Sequence, residues 1–126
     1  MKRYLLDTHL IYWWMTADTR LGKATQRLIE KSDVVVSAAS VWEMMLKNAK
    51  GKLPLPTGAF TEQIEAQGFI LLPILPRHLD AVRNLTCEHA DPFDRLLIAQ
   101  AQNESLTLLT RDAAILALEL AGIVKG

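Results

Sequence analysis

The sequence HADPFDRLLIAQA at residues 89–101 predicts the start of a buried helix, with two aspartates at that start. Asp91 suits the N-cap, and Pro92 suits the first helical position because proline lacks the N–H that would go unpaired there. Asp94 lies in the first turn, where a negative charge interacts favourably with the helix dipole. The apolar residues after Phe93 predict burial on more than one face. Capping explains this segment locally, so a metal-binding role depends on where the other acids lie.

Short β-branched or leucine-rich segments alternate with helical patterns along the chain, which is typical of an α/β domain with a mostly parallel sheet. Four strands are predicted at 4–7, 34–37, 70–73 and 107–110, and a short fifth at 123–124. Helices are predicted at 10–15, 23–30, 41–48, 62–67, 79–85, 93–104 and 113–120. Gly51, Pro54 and Pro56 mark the one clear loop, and residues 1–126 are expected to form a single domain.

Composition narrows the class of protein. Half of the 126 residues are apolar, so we expect part of the surface to be covered by a second copy, as in a homodimer, or by a partner. Fourteen basic and fourteen acidic residues leave no net charge, so the usual basic excess of nucleic-acid binders is absent. Cys87 is the only cysteine, which predicts a reducing cytoplasm, and no segment is long enough to span a membrane.

Three further acids follow predicted strands. Asp7 closes the first strand and Asp112 follows the fourth, so both are expected at the carboxyl edge of the sheet, although either could simply cap a helix. Glu43 follows the second strand in an apolar setting, where an ionised carboxylate needs a strong partner. Ser40 and Glu43 match the S-x-x-E capping box, and Lys47, one helical turn after Glu43, is an alternative partner.

The joint pattern of Asp7, Glu43, Asp94 and Asp112 carries more information than any single member. Two carboxylates about 4 Å apart repel by roughly 4 kcal/mol at an effective dielectric near 20, and a bound dication would replace this repulsion by coordination. Oxygen ligands without a cysteine or a histidine pair at metal spacing favour Mg²⁺ or Mn²⁺ over zinc.

Four segments carry a resemblance to a known family. They are LLDTH at 5–9, SAASVWEMMLKNAKGKL at 37–53, HADPFDRLLIAQA at 89–101 and LLTRD at 108–112. In this order they resemble the motifs of PIN-domain proteins, specifically the VapC-type ribonuclease toxins of bacterial toxin–antitoxin pairs. The resemblance implies a three-layer α/β/α sandwich with the first strand central. It also implies Mg²⁺-dependent endonucleolytic cleavage of RNA, with Asp7, Glu43, Asp94 and Asp112 as the catalytic, metal-binding acids.

Further roles follow from the same resemblance. Asp91 would be an accessory acid or the helix cap, and Thr110 would support the site through its hydroxyl. Arg95 would orient a carboxylate or contact phosphate. A cognate antitoxin would occupy a groove near the first helices, lined by Trp13 or Trp14. Since adjacent residues cannot share one helix face, one of these two tryptophans is expected to be exposed.

Lys47, Lys50 and Lys52 form the only local basic cluster, which is either solvated surface or a contact for the RNA backbone. Two other functions remain open. One is a non-catalytic α/β binding domain whose acids cap helices. The other is metal-free acid–base cleavage of RNA by the three histidines, for which the sequence shows no orienting partner: His9, His78 and His89. A receiver-like or phosphatase-like domain is excluded because a D-x-D pair is absent.

Overall fold

The computed structural model describes residues 2–126, in which a five-stranded sheet is covered by helices on both faces. Met1, the first residue of the predicted domain, lies outside the described residues. The strands are β1 (Arg3–Leu6), β2 (Asp33–Ser37), β3 (Ile70–Leu72), β4 (Thr107–Thr110) and β5 (Ile123–Lys125). The helices are α1 (Thr8–Met15), α2 (Lys23–Lys31), α3 (Ala38–Ala49), α4 (Phe60–Ala66), α5 (Pro76–Arg83), α6 (Pro92–Asn103) and α7 (Ala113–Leu116). A 3₁₀ turn at Thr19–Leu21 precedes α2.

The sheet has the strand order β3-β2-β1-β4-β5, and every neighbouring pair is parallel. The central position of β1 and the parallel sheet are as expected, and the short fifth strand is present. Because all strands run the same way, the residues that follow β1, β2 and β4 meet at one carboxyl edge. None of the helices in residues 2–126 has both the length and the apolar character needed to cross a bilayer.

Successive side chains of each central strand enter two different cores, one on each face of the sheet. On β1, Leu6 packs in the core formed with α1 to α4, whereas Leu5 packs in the core formed with α6 and α7. On β4, Leu109 and Leu108 divide in the same way. All four leucines are fully buried. Because β1 and β4 are apolar on both faces, helices must cover both, which produces the three layers.

Five helices, α1 and α3 to α6, begin one to three residues earlier than predicted, and residues at strand ends cap two of them. Asp7 caps α1 by accepting a hydrogen bond from the Thr8 backbone N–H, so the helix begins two residues before the predicted start. Ser37 caps α3 by accepting from the Ala39 N–H. Ser40 therefore lies within α3 rather than at its N-cap, and the predicted Ser40–Glu43 capping box is wrong.

The predicted last helix is also too long. It ends at Leu116 instead of residue 120, because Leu118 and Glu119 donate to carbonyls three residues back and Glu119 adopts a positive φ of 52°. A second long loop, at residues 84–91, was not predicted, since it lacks the glycines and prolines that mark the loop before α4.

We expect Leu97→Ala to lower the free energy of unfolding by about 2–5 kcal/mol, because Leu97 is fully buried between α6 and the sheet and its removal leaves a cavity. Leu79→Ala is the control: Leu79 is 56% exposed on α5, so the change should stay within about 0.5 kcal/mol. Urea unfolding followed by circular dichroism measures both. Equal losses in the two variants would contradict this description of the core.

Candidate active site

Asp7 lies at the carboxyl end of β1, where it is almost fully buried. Its backbone N–H continues the ladder to the Leu109 carbonyl at 2.9 Å, which fixes the position of the residue beside β4. The Thr8 N–H donates to Oδ1 at 2.7 Å, and the Thr110 hydroxyl donates to Oδ2 at 2.6 Å. Burial raises the pKa of Asp7, and these two hydrogen bonds offset part of the rise.

Asp112 follows β4 and is joined to Asp7 through one hydroxyl. The Asp112 N–H donates to Thr110 Oγ1 at 3.0 Å, and the same hydroxyl donates to Asp7. Oδ1 of Asp112 caps α7 by accepting from Ala114 and Ile115 at 2.8 and 3.0 Å. The charge of Asp112 also raises the pKa of Asp7, a sign that the two carboxylates are close. Thr110 thus connects the acids at the ends of the two central strands.

Glu43 reaches the same edge from α3. The Thr8 hydroxyl donates to Glu43 Oε1 at 2.7 Å and also lies 3.1 Å from the Ser40 hydroxyl. Lys47 Nζ lies 3.2 Å from Oε2, so the predicted pairing one helical turn apart is present. The Glu43 side chain is only 12% exposed, and the hydroxyl and the ammonium group are the partners that stabilise its charge there.

The two aspartates of the opening segment have different environments. Asp91 is the N-cap of α6, since its Oδ1 accepts from the Phe93 and Asp94 N–H groups at 2.9 and 3.1 Å. Asp94 Oδ2 lies 2.8 Å from His89 Nε2 instead. The pKa of Asp94 is raised to about 6, mainly by burial; His89 offsets part of the rise, and the charges of Asp7, Asp91 and Asp112 add to it. Asp94 therefore lies within the field of the acids at the strand ends.

The four predicted acids occur at one edge, but they do not form a ready-made ion cage. Within residues 2–126, no three histidine, cysteine, aspartate or glutamate side chains stand in an arrangement that could hold a metal ion as they are. Two of the four carboxylates contact a side-chain nitrogen: Glu43 contacts Lys47, and Asp94 contacts His89. Their chemistry suits a hard dication, which would replace these two side chains as the partner of the carboxylates.

Arg95 contacts backbone carbonyls, so the prediction that it orients a carboxylate is wrong, whereas its contact with phosphate stays a prediction. Its guanidinium donates to the carbonyls of Cys87 at 2.8 Å, His89 at 3.2 Å and Leu85 at 3.3 Å. These bonds hold the loop at residues 84–91 against α6. Arg95 thereby positions the segment that brings His89 to Asp94.

The structure gives two histidines partners that the sequence did not reveal. His89 contacts Asp94 across the loop, and His78 is fully buried with Nε2 2.8 Å from Glu104 Oε2. His9 is exposed on α1, with its ring 6.1 Å from that of Trp13. The only sequence signal for the His89–Asp94 contact is that His89 lies five residues before Asp94. This spacing is too long for a pair within one helix, so it becomes meaningful only when the conformation of the loop is known.

The predicted lysines lie beside the acids. Lys47, Lys50 and Lys52 line a groove of about 290 Å³ together with Glu43 and Asp91. The basic cluster therefore flanks Glu43 in space.

Trp13 and Trp14 are both half-buried, so the expectation that one of them is exposed is wrong. The Trp13 ring lies under the guanidinium groups of Arg20 and Arg111, 5.3 and 5.4 Å from its centroid. Trp14 Nε1 donates to Gln67 at 3.1 Å. Both tryptophans line a groove of about 480 Å³ between α1 and α2, which we call the tryptophan groove.

We expect Asp94→Asn to stabilise the metal-free protein at high pH. The folded pKa of about 6 lies above the ordinary value of 3.8, so protonation of Asp94 stabilises the fold below about pH 4, and this stabilisation is lost as the pH rises to about 6. Asparagine keeps the side chain neutral. Thermal melts in EDTA should therefore give a melting temperature at least about 2 °C above wild type at pH 8 and a much smaller difference at pH 4.

Asp80→Asn is the matched control, because Asp80 is exposed on α5. It should show no such dependence on pH. A melting temperature for Asp94→Asn equal to or below that of wild type at pH 8 would contradict the crowding of carboxylates described above.

Comparison with known proteins adds independent information. The family model described as PIN domain matches residues 4–119. Ribonuclease VapC22 of Mycobacterium tuberculosis is 30% identical over 116 residues, which cover 89% of this chain and 88% of that protein. The crystal structure of VapBC2 from Rickettsia felis bound to a promoter DNA fragment contains a similar chain, with a TM-score of 0.65, 13% identity and coverage of 98% and 97%. A chain of a toxin–antitoxin complex from Klebsiella pneumoniae gives a TM-score of 0.66 with 18% identity and coverage of 96% and 95%. These solved structures agree in fold, and the family model and the sequence relative place this chain in the PIN-domain family.

Proposed function

We propose that this chain is a metal-dependent endoribonuclease, the toxin of a toxin–antitoxin pair, that hydrolyses RNA phosphodiester bonds at Asp7, Glu43, Asp94 and Asp112. The observation that carries the proposal is the set of carboxylates at one sheet edge. Thr8 donates to Asp7 through its backbone N–H and to Glu43 through its hydroxyl, and Thr110 donates to Asp7 and accepts from the Asp112 N–H. The name of the Mycobacterium relative, a ribonuclease, supports the same chemistry.

The four acids would hold the metal ion that the reaction needs. Mg²⁺ or Mn²⁺, when bound, supplies an activated water and stabilises the negative charge on the leaving oxygen. The Thr110 hydroxyl orients the Asp7 carboxylate, and the Thr8 hydroxyl orients that of Glu43. The N–H groups of Ala114 and Ile115 orient the Asp112 carboxylate. Asp94 uses neither oxygen to cap a helix. One of the acids would also accept the proton of the water.

Helix capping alone is the competing explanation, and it accounts for part of the arrangement. Asp7, Asp91 and Asp112 all cap helices, as a non-catalytic binding domain would require. Capping does not account for Glu43 or Asp94, because neither lies at an N-cap and both approach the buried edge. Burial raises the pKa of Asp94 even with His89 as a partner, so a bound cation would stabilise the charge of Asp94 further.

Cleavage by histidines without metal has less support. His78 is fully buried and engaged with Glu104, so RNA cannot reach its ring. His9 is exposed on α1 and paired with the Trp13 ring rather than with an acid. His89 contacts Asp94, and the charge of His9 acts on Asp7, so cleavage without metal would have to depend on these two histidines.

The partners belong to the same proposal. The lysine cluster would contact the RNA backbone, and an antitoxin segment would occupy the tryptophan groove, as the toxin–antitoxin neighbours suggest. A second copy of the chain would cover the apolar groove of about 390 Å³ beside Trp42, whose side chain is 55% exposed. A reducing cytoplasm suits the lone Cys87.

We expect Asp7→Asn and Asp94→Asn to lower RNA cleavage at least about 100-fold, since even partners outside the ligand shell of metal enzymes contribute about 10- to 100-fold. Both variants should keep the circular dichroism spectrum of wild type and should lose most of the heat of Mn²⁺ binding in calorimetry. EDTA should stop cleavage by the wild-type protein.

Asp80→Asn again serves as the control and should retain both cleavage and Mn²⁺ binding. Three results would count against the proposal. Full activity of either variant removes that residue from the mechanism, cleavage in EDTA favours His89, and a folded protein that gives no heat with Mn²⁺ or Mg²⁺ favours the non-catalytic binding domain.

We expect Trp13→Ala to weaken binding of the cognate antitoxin at least about 10-fold, because a half-buried aromatic residue in a groove is a typical binding hot spot. The partner to test is the product of the short reading frame upstream of the gene, and the measurement is calorimetry. Trp13→Phe keeps a ring and should lose less. Arg27→Ala, exposed on α2 outside the groove, should bind as wild type does. Unchanged affinity of folded Trp13→Ala would exclude the groove.

A further inference from the structure

The groove that holds the lysine cluster also contains an aromatic ring. Phe93 lines it together with Lys47, Lys50, Lys52, Glu43 and Asp91, and we call this feature the lysine groove. Its volume is about 290 Å³. Since one water molecule takes up about 30 Å³ of liquid, the groove has the volume of roughly ten waters, enough for a planar base but not for a helix. Glu43 belongs both to this groove and to the acidic edge, so the two are contiguous.

Phe93 is not used by the hydrophobic cores. It is half-buried in the first turn of α6, yet it belongs to neither of the two clusters that fill the faces of the sheet. An aromatic ring that lines a polar groove can stack with a base, and such stacking requires no particular base. Glu43 lines the same groove, so a ligand on this ring lies beside one of the acids of the edge.

The charges of the groove suit phosphates. Lys47 is paired with Glu43, whereas Lys50 and Lys52 are exposed and form no ion pair with the described residues. Gly51 between them adopts a positive φ of 71°, and the Lys52 N–H donates to the Lys47 carbonyl at 2.9 Å. This turn at the end of α3 places two unneutralised ammonium groups on the rim of the groove.

We propose that the lysine groove binds one unpaired nucleotide of the RNA, with its base stacked on Phe93 and its flanking phosphates at Lys50 and Lys52. This inference rests on the proposed ribonuclease function and adds a positioning residue to it. A base in a duplex is already stacked between its neighbours and cannot cover the Phe93 ring, so the groove selects single strands and loops. Seating one base here would bring the adjoining phosphodiester to Asp94.

The test measures binding in EDTA, so that cleavage plays no part. Fluorescence anisotropy compares a labelled six-nucleotide RNA with an abasic chain of the same length, which keeps the phosphates but has no bases. Wild type should bind the RNA with bases at least about 5-fold more tightly than the abasic chain. Phe93→Leu should lose most of this preference, and Phe93→Tyr, which keeps the ring, should retain it.

The lysines are tested separately through their charge. Lys50→Gln and Lys52→Gln should weaken binding of both chains equally, and each should reduce the slope of log affinity against log salt concentration by about 1. Lys31→Gln, exposed at the end of α2, is the matched control and should leave both quantities unchanged. Melting temperatures of all variants are compared with wild type.

The wild-type comparison requires no variant, so a folding defect in Phe93→Leu does not remove the test. Equal affinity of wild type for the two chains, tighter binding of a duplex of the same sequence, or wild-type affinity in folded Phe93→Leu would each overturn the inference. If wild type cleaves RNA with Mn²⁺ but shows no preference for bases, only this inference fails. If binding depends on bases but nothing is cleaved, the proposed catalytic function fails instead.

Discussion

Repulsion among carboxylates at one sheet edge is the constraint on which the rest of this site depends. Because β1 and β4 pair in parallel, the acids that follow them lie next to each other, and their charges repel. The structure offsets that repulsion with the hydroxyls of Thr8 and Thr110 and with the side chains of Lys47 and His89. The pKa values of Asp7 and Asp94 are raised all the same. Burial is the main cause in both, and the charges of neighbouring carboxylates add to the rise.

Capping and ligation need not compete for the same acid. Only one oxygen of Asp112 accepts the hydrogen bonds of its cap, and a carboxylate held in this way has already lost the rotational freedom that a ligand must lose. Two helix N-termini beside the sheet would therefore orient Asp7 and Asp112 for the proposed cation. The two aspartates at the start of α6 have separate roles. Asp91 accepts hydrogen bonds from the N–H groups of α6, so the Asp94 side chain is not needed as a cap.

The sequence predicted the features that depend on short-range pattern. Strand positions followed from the local pattern, and the expectation that Asp7 and Asp112 lie at one edge followed from element ends, because a parallel sheet brings those ends together. The central position of β1 was implied by the family resemblance. What the sequence missed depends on contacts across loops. His89 reaches Asp94, and Arg95 turns to the carbonyls of Cys87 and Leu85, only because the segment between α5 and α6 folds back on α6. The capping box at Ser40 failed for a related reason, as Ser37 was a better cap three residues earlier.

Both outermost strands of the sheet, Ile70–Leu72 and Ile123–Lys125, are only three residues long. Short edge strands expose few unpaired backbone N–H and C=O groups, so a strand of another chain can form few hydrogen bonds with them. A sheet with such edge strands resists growth into cross-β fibrils, even though half of the residues are apolar. It also directs self-association away from strand addition and towards side-chain packing, in keeping with the exposed Trp42 on α3.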